Sequence, residues 1–159
     1  MNAGNIIMSE SHAIKCELAA EVLRSAGMVR LRVMGWSMLP TIWPGDTLVI
    51  DRVSRAEVLE GDIVLFGRDR RLFAHRVVKN KSSALVTRGD SMRAPDSPVD
   101  EGEFLGRVSS IVRNGRFVKL RGTLRVDERA IASLVQRSEL AARAFVGVRG
   151  LFQTRNQTV

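Results

Sequence analysis

The spacing of apolar positions changes twice along the chain. Over residues 10–26, "ESHAIKCELAAEVLRSA", Ile14, Leu18 and Val22, with Ala19 and Leu23 beside them, recur at helical spacing and predict a helix. Gly27 supplies its stop. From there the period shortens to two. "VRLRVM" (29–34) alternates apolar and basic residues, as a strand does. Six further β-rich runs follow: "TLVID" (47–51), "DIVLF" (62–66), "LFAHRVV" (72–78), "ALVTRG" (84–89), "FLGRVSSIV" (104–112) and "RFVKL" (116–120). Gly, Asp, Asn and Pro punctuate between them. This pattern predicts a mainly β (α+β) fold, a compact antiparallel β domain. Helical periodicity returns at 126–148, where Ile131, Leu134, Val135, Leu140 and Phe145 share a face and Arg129, Arg137 and Arg143 lie outside it. The chain thus divides into an N-terminal helical segment (1–28), a β-rich region (29–122) and a basic C-terminal helix and tail (123–159), expected to form one structural domain. There is no internal repeat.

Composition narrows the class. With 159 residues and 45% hydrophobic content, the chain suits a single packed core and is too apolar for a disordered polymer. A lone cysteine, Cys16, excludes an internal disulfide and reads as a small buried or interfacial side chain. No run approaches the roughly 18 apolar residues of a membrane span. The first residues lack the basic-then-apolar order of a secretory signal, so the expected location is the cytoplasm, at most peripheral to a membrane.

Charge adds one asymmetry. Residues 107–159 carry eleven Lys/Arg against three acids, whereas the first 106 residues carry fourteen of each sign. The net +8 therefore belongs to the C-terminal third. Such a face suits an anionic membrane surface or an acidic partner, or is simply solvated. Nucleic acid is the less favoured partner: there is no Tyr to stack on bases and no known reading motif.

The candidate chemistry starts at "GWSMLPTIWPGDTLVID" (35–51). A serine hydroxyl is a poor nucleophile until a base takes its proton, and Ser37 needs a base within about 3 Å in the fold. The chain has two histidines. His12 lies on the N-terminal helix, where a surface or capping role is expected. His75 lies within the alternating strand "FAHRVV". An imidazole titrates near ~6.5 and serves as a base at neutral pH without a shift, whereas a lysine must first be desolvated. Lys79 and Lys81 are the other candidate bases. Lys79 shares the strand face of His75 but stands about 13 Å from it.

These segments, in this order, resemble the signal peptidase I and LexA-like serine peptidase superfamily over about residues 31–112. "SMLP…PGD" is similar to its first box, with Ser37 in the nucleophile's place, and "EGDIVLF" (60–66) resembles its second. In bacterial signal peptidases and in the repressors the third box supplies a lysine just before Arg-Val. Here "AHRVV" has His75 there, similar to the endoplasmic-reticulum, archaeal and spore-former type of signal peptidase, which uses histidine. "GDSMRAPD" (89–96) resembles the Gly-Asp-Asn-Asn box of that type. Gly89 and Asp90 match, Ser91 and Met92 replace the asparagines, and Asp96 takes the final aspartate's place. "LGRV" (105–108) resembles the closing box.

The resemblance implies a compact antiparallel β peptidase fold with flanking helices. It also implies a serine endopeptidase in which Ser37 attacks, His75 is general base and Asp96 orients His75. Asp90 is the second candidate for that supporting role, or else a turn residue tied to nearby backbone. The Ser37 N–H is the expected oxyanion donor, and Gly35 would let a substrate backbone approach. Trp36 and Met38 are expected to contact substrate: Trp36 exposed, and Met38, Leu39, Ile42 and Trp43 forming either an apolar lip or core. No metal or cofactor is required for acyl transfer. The expected substrate is an extended peptide, such as the leader of a small precursor. Two rivals remain, an inactive peptide-binding or regulatory module and a nucleic-acid-binding regulator. The chain departs from signal peptidases in lacking a membrane helix, and from the repressors in lacking room for a helix-turn-helix.

Overall fold

The computed structural model describes residues 3–81 and 84–120, with side chains from Ile14 onward. The predicted helix at 126–148 and the His12 side chain lie outside the described residues. Helix α1 (Ala3–Ala26) is followed by seven strands: β1 (Met28–Arg32), β2 (Thr47–Asp51), β3 (Ile63–Arg68), β4 (Arg71–Lys81), β5 (Ala84–Arg88), β6 (Phe104–Arg113) and β7 (Arg116–Val118). They form one antiparallel sheet in the order β1-β2-β6-β3-β4-β5, with β7 also paired to β6. The mainly β expectation holds, and each predicted run carries a strand.

The run "IVLF" explains the centre of the sheet. Period two sends Ile63 and Leu65 to one face and Val64 and Phe66 to the other. All four are buried, because the sheet is covered on both sides. On one face Ile63 and Leu65 pack with Leu23 of α1, Met38, Ile42, Leu48, Ile50, Val108 and Ile111. On the other, Val64 and Phe66 pack with Val58, Val77, Leu85 and Val99. Deleting a side chain such as Leu65 would cost about 2–5 kcal/mol.

The helix and the first strand differ from expectation. Helix α1 begins at Ala3 rather than residue 10. Its packed side is Ala19 and Leu23, whereas Ile14 and Leu18 are 62% and 60% exposed. A stripe at i, i+4 fits two slightly rotated faces equally well, and the smaller Ala19 allows the closer approach to the sheet. Strand β1 stops at Arg32; Val33 still donates its N–H to the Asp46 carbonyl (2.8 Å) and accepts from the Gly45 N–H (2.9 Å), and residues 34–36 then lead to Ser37 outside the strands. The β3–β4 connection turns through Asp69 and Arg70, both at positive φ (50° and 60°), as a two-residue hairpin turn requires, although neither is glycine. Asn114-Gly115 makes the same turn between β6 and β7 with the residues the geometry favours.

Candidate active site

Ser37 opens a turn over residues 37–41, closed by the Leu39 N–H donating to the Trp36 carbonyl (3.1 Å) and the Ile42 N–H to the Met38 carbonyl (3.0 Å). The Leu39–Pro40 peptide is cis. Burial holds this turn in place. Met38, Leu39, Ile42 and Trp43 are all buried, so of the two alternatives, apolar lip or core, they are core. Met38, expected to contact substrate, is 4% exposed and packs against β2, β3 and β6 side chains; that expectation is corrected. Trp36 is half-buried rather than exposed. Behind the turn, Arg113 of β6 forks onto the buried Asp46 carboxylate (2.8 and 2.6 Å) and donates to the Thr41 carbonyl (3.0 Å). Asp46 also accepts the Trp43 N–H at 2.8 Å.

His75 comes from β4, opposite Val64 of β3. It is buried, with Phe66 and Phe73 against its ring at 5.9 Å between centroids. Its Nε2 lies 2.9 Å from Ser37 Oγ and its Nδ1 lies 2.7 Å from Asp96 Oδ2. Asp96 is located by its own N–H donating to the Thr87 carbonyl (2.8 Å) and by the Thr87 hydroxyl donating to Oδ2 (2.6 Å). Just beyond it, Arg68 donates to the Ser97 and Pro98 carbonyls (3.2 and 2.7 Å) and pairs with Glu103. Arg68 therefore tethers the loop that carries Asp96. Burial pushes the Asp96 carboxyl up. The hydrogen bonds from His75 and Thr87 and the charges of His75 and Arg68 outweigh it, and the carboxyl ends below its usual value.

That direction decides the tautomer. An ionised carboxylate only accepts, so the bond to Asp96 places the imidazole proton on Nδ1. In neutral His75 the Nε2 lone pair then faces the Ser37 hydroxyl, the arrangement in which the ring can take the serine proton.

Asp90, the second candidate to support His75, goes elsewhere. It accepts from Arg76 Nε and Nη2 (both 2.8 Å) and from the Thr41 hydroxyl (2.5 Å). Arg76 further donates to the Gly61 carbonyl at 2.9 Å. Asp90 is thus a buried ion-pair partner joining β4, the Ser37 turn and the 89–92 turn, not a residue tied to local backbone. Lys79 and Lys81 are exposed, and Lys79 lies past a bulge in β4.

The 89–92 turn abuts Ser37 directly. The Ser91 N–H and hydroxyl both donate to the Ser37 carbonyl (3.0 and 2.9 Å), and the hydroxyl also reaches the Trp36 carbonyl (3.0 Å). A Cβ on Gly89 would stand 2.6 Å from the Ser37 carbonyl oxygen, so only glycine fits there. The space beside Gly35 is open: an added Cβ would meet nothing within 4 Å. Among the described residues no backbone acceptor engages the Ser37 N–H. Cys16 is half-buried, and burial, with Glu17 nearby, pushes its thiol up, away from reactivity. Among the described residues no cluster of three His, Cys, Asp or Glu is placed to hold a metal ion, and no helix is long and apolar enough to cross a membrane.

Sequence reasoning missed the supporting residues Arg76, Thr41, Ser91, Thr87, Arg68 and the Asp46–Arg113 pair. Five of them sit inside quoted segments: Thr41 and Asp46 in "GWSMLPTIWPGDTLVID", Arg76 in "AHRVV", Thr87 in "ALVTRG" and Ser91 in "GDSMRAPD"; only Arg76, a charged residue between strand apolars, carried a signal. A search of curated proteins and a search of solved structures returned no match. A family model described as Peptidase S24-like matches residues 1–109, which span the turn, the histidine strand and the aspartate loop. The chain belongs to the Peptidase S24-like family.

Proposed function

We propose that this protein is a serine endopeptidase of the histidine-base type, with Ser37 as nucleophile, His75 as general base and Asp96 as the orienting carboxylate. The observation that carries the reading is the pair of short contacts on one imidazole: Ser37 Oγ at 2.9 Å from Nε2 and Asp96 at 2.7 Å from Nδ1. Ser37 Oγ attacks the scissile carbonyl carbon as its proton passes to His75 Nε2. The oxyanion forms beside the Ser37 N–H. The imidazolium, stabilised by Asp96, returns that proton to the leaving amine, and the C–N bond breaks to leave an acyl ester on Ser37. Water, deprotonated by the same nitrogen, then hydrolyses the ester and restores Ser37. No step asks for a metal.

The substrate is proposed to be an extended peptide aligned along an edge of the sheet, for example a precursor leader. The open space at Gly35 and the backbone of residues 34 and 35, which lies outside the sheet, favour such an approach to Ser37. A fluorophosphonate probe tests the reading. It should phosphonylate the parent at Ser37, seen as a single mass addition lost in Ser37→Ala and nearly lost in His75→Ala. A parent left unlabelled would return the chain to a peptide-binding module.

A further inference from the structure

We propose that Ser91 is a positioning residue for the oxyanion site: its hydroxyl holds the Trp36–Ser37 peptide so that the Ser37 N–H faces the substrate carbonyl. The inference rests on the peptidase reading of Ser37 and adds to it the residue that aims the oxyanion donor.

Three observations carry it. First, the Ser91 hydroxyl bonds both peptide units that meet at Ser37. It lies 3.0 Å from the Trp36 carbonyl oxygen and 2.9 Å from the Ser37 carbonyl oxygen, so its one proton is shared between them. The Ser91 N–H gives the Ser37 carbonyl a second donor (3.0 Å), and the Leu39 N–H gives the Trp36 carbonyl one (3.1 Å). Second, the Trp36–Ser37 peptide is trans, since the one cis bond among the described residues is Leu39–Pro40. In a trans peptide the C=O and N–H point to opposite sides. A carbonyl drawn toward Ser91 therefore turns the Ser37 N–H the other way, where among the described residues no backbone acceptor engages it. Third, Ser91 stands on a fixed base. It is 5% exposed. Asp90 before it is locked by Arg76 and Thr41, and the Met92 N–H closes the turn onto the Gly89 carbonyl (2.9 Å).

The hydroxyl takes no part in proton transfer, because its bonds go to backbone carbonyls and not to His75 or Asp96. Its effect is on charge. Were the Trp36–Ser37 peptide to rotate, a carbonyl oxygen would replace the N–H beside the developing oxyanion, and repulsion would replace attraction. One oxyanion donor is worth roughly 10²–10³-fold in kcat. Without the hydroxyl, the Leu39 N–H still holds the Trp36 carbonyl, so only part of that factor, about tenfold, should be lost.

The test compares Ser37 acylation by p-nitrophenyl acetate and by its thionoester, which carries C=S in place of C=O, read as p-nitrophenolate release and as intact mass. Sulfur is a weak hydrogen-bond acceptor, so the thionoester gains little from an aimed N–H. The parent should prefer the oxygen ester. Ser91→Ala should slow the oxygen ester by about tenfold and the thionoester by less than about twofold, with the pH midpoint of the rate unchanged. Ser91→Cys keeps the shape and gives up most of the hydrogen bond, so it should follow Ser91→Ala. Equal losses with both esters would make Ser91 a support of the whole turn and overturn the inference. Parental rates in Ser91→Ala or in Ser91→Cys would overturn it too, with the peptidase reading intact. A parent that the oxygen ester does not acylate at Ser37 overturns the peptidase reading and this one with it.

Discussion

Two neighbours on β4, His75 and Arg76, each take an aspartate from residues 89–96, and the two pairs are built for opposite ends. Period two sends the side chains to opposite faces of the strand. Arg76 forks onto Asp90, which also accepts from Thr41, while the guanidinium reaches the Gly61 carbonyl. Arg76 keeps its charge at any working pH. The pair is permanent, and it fastens three segments around Ser37. His75 and Asp96 share a single hydrogen bond, and Asp96 is only half-buried. An imidazole gives up its proton near neutral pH, and its second nitrogen is spent on Ser37. The same residue type on the same segment thus serves as scaffold in one pair and, in the proposed reading, as part of a proton-transfer system in the other. The partner's chemistry makes the difference.

The comparison breaks most sharply at the chemical pair. Ser37→Ala and His75→Ala should each lower acylation or peptide cleavage by at least about 10³-fold, with the double variant little worse than either, because the two groups act as a unit. Their thermal unfolding should stay close to that of the parent.

The scaffold pair should fail in the opposite way. Asp90→Ala leaves Arg76 buried without its carboxylate and should cost roughly 3–5 kcal/mol of stability, measured by denaturant unfolding. Any loss of activity should then follow the folded fraction. An Asp90→Ala protein as stable as the parent but unable to acylate Ser37 would move Asp90 into the chemistry.

Asp96→Asn should lower acylation by roughly 10²–10⁴-fold, since an amide can donate to Nδ1 and leave the proton on Nε2, the wrong side for Ser37. Its stability effect has a definite sign. The folded carboxyl lies below its usual value. It therefore contributes stability above the unfolded value of about 3.9, and that contribution is lost as pH falls through the folded value. Acid unfolding of Asp96→Asn should be flatter in that window than that of the parent, and equal slopes would remove Asp96 from the ionised pair.

The smallest expected effect on catalysis lies in the basic C-terminal third. Reversing the charge at Arg137 and Arg143 should leave acylation by a short ester unchanged, yet weaken binding to anionic vesicles, more so at low salt. Equal vesicle binding by parent and variant would make this a solvated face.

The strands were legible because short β-rich runs, alternating or continuously apolar, are set apart by Gly, Asp, Asn and Pro, and every predicted run became one. Ser37, His75 and Asp96 were legible because their boxes keep a fixed order. The orientation of α1 was not: Ile14 and Leu18 carry the same hydropathy whether they face the sheet or water. Met38 was misread for the same reason, since a residue beside a nucleophile can point either way from a turn. The two buried ion pairs were not legible at all. Asp90 and Arg76 are 14 residues apart, Asp46 and Arg113 are 67, and a charged residue looks the same in sequence when solvated and when locked in a core. Asp90 accordingly drew a local-turn expectation that its long-range partner overrides.

A histidine held by Asp96 is proposed here as the base for Ser37. The pH profile of kcat/KM for Ser37 acylation tests it most directly, in the parent and in Asp96→Asn. Only the neutral ring accepts the serine proton, so the parent rate should rise once as the imidazole deprotonates and then stay level into mild alkali. Asp96→Asn should lower the plateau, because an amide donating to Nδ1 leaves the ring proton on Nε2, facing Ser37. A parent profile still climbing above pH ~8.5 would contradict the account and point to a lysine base.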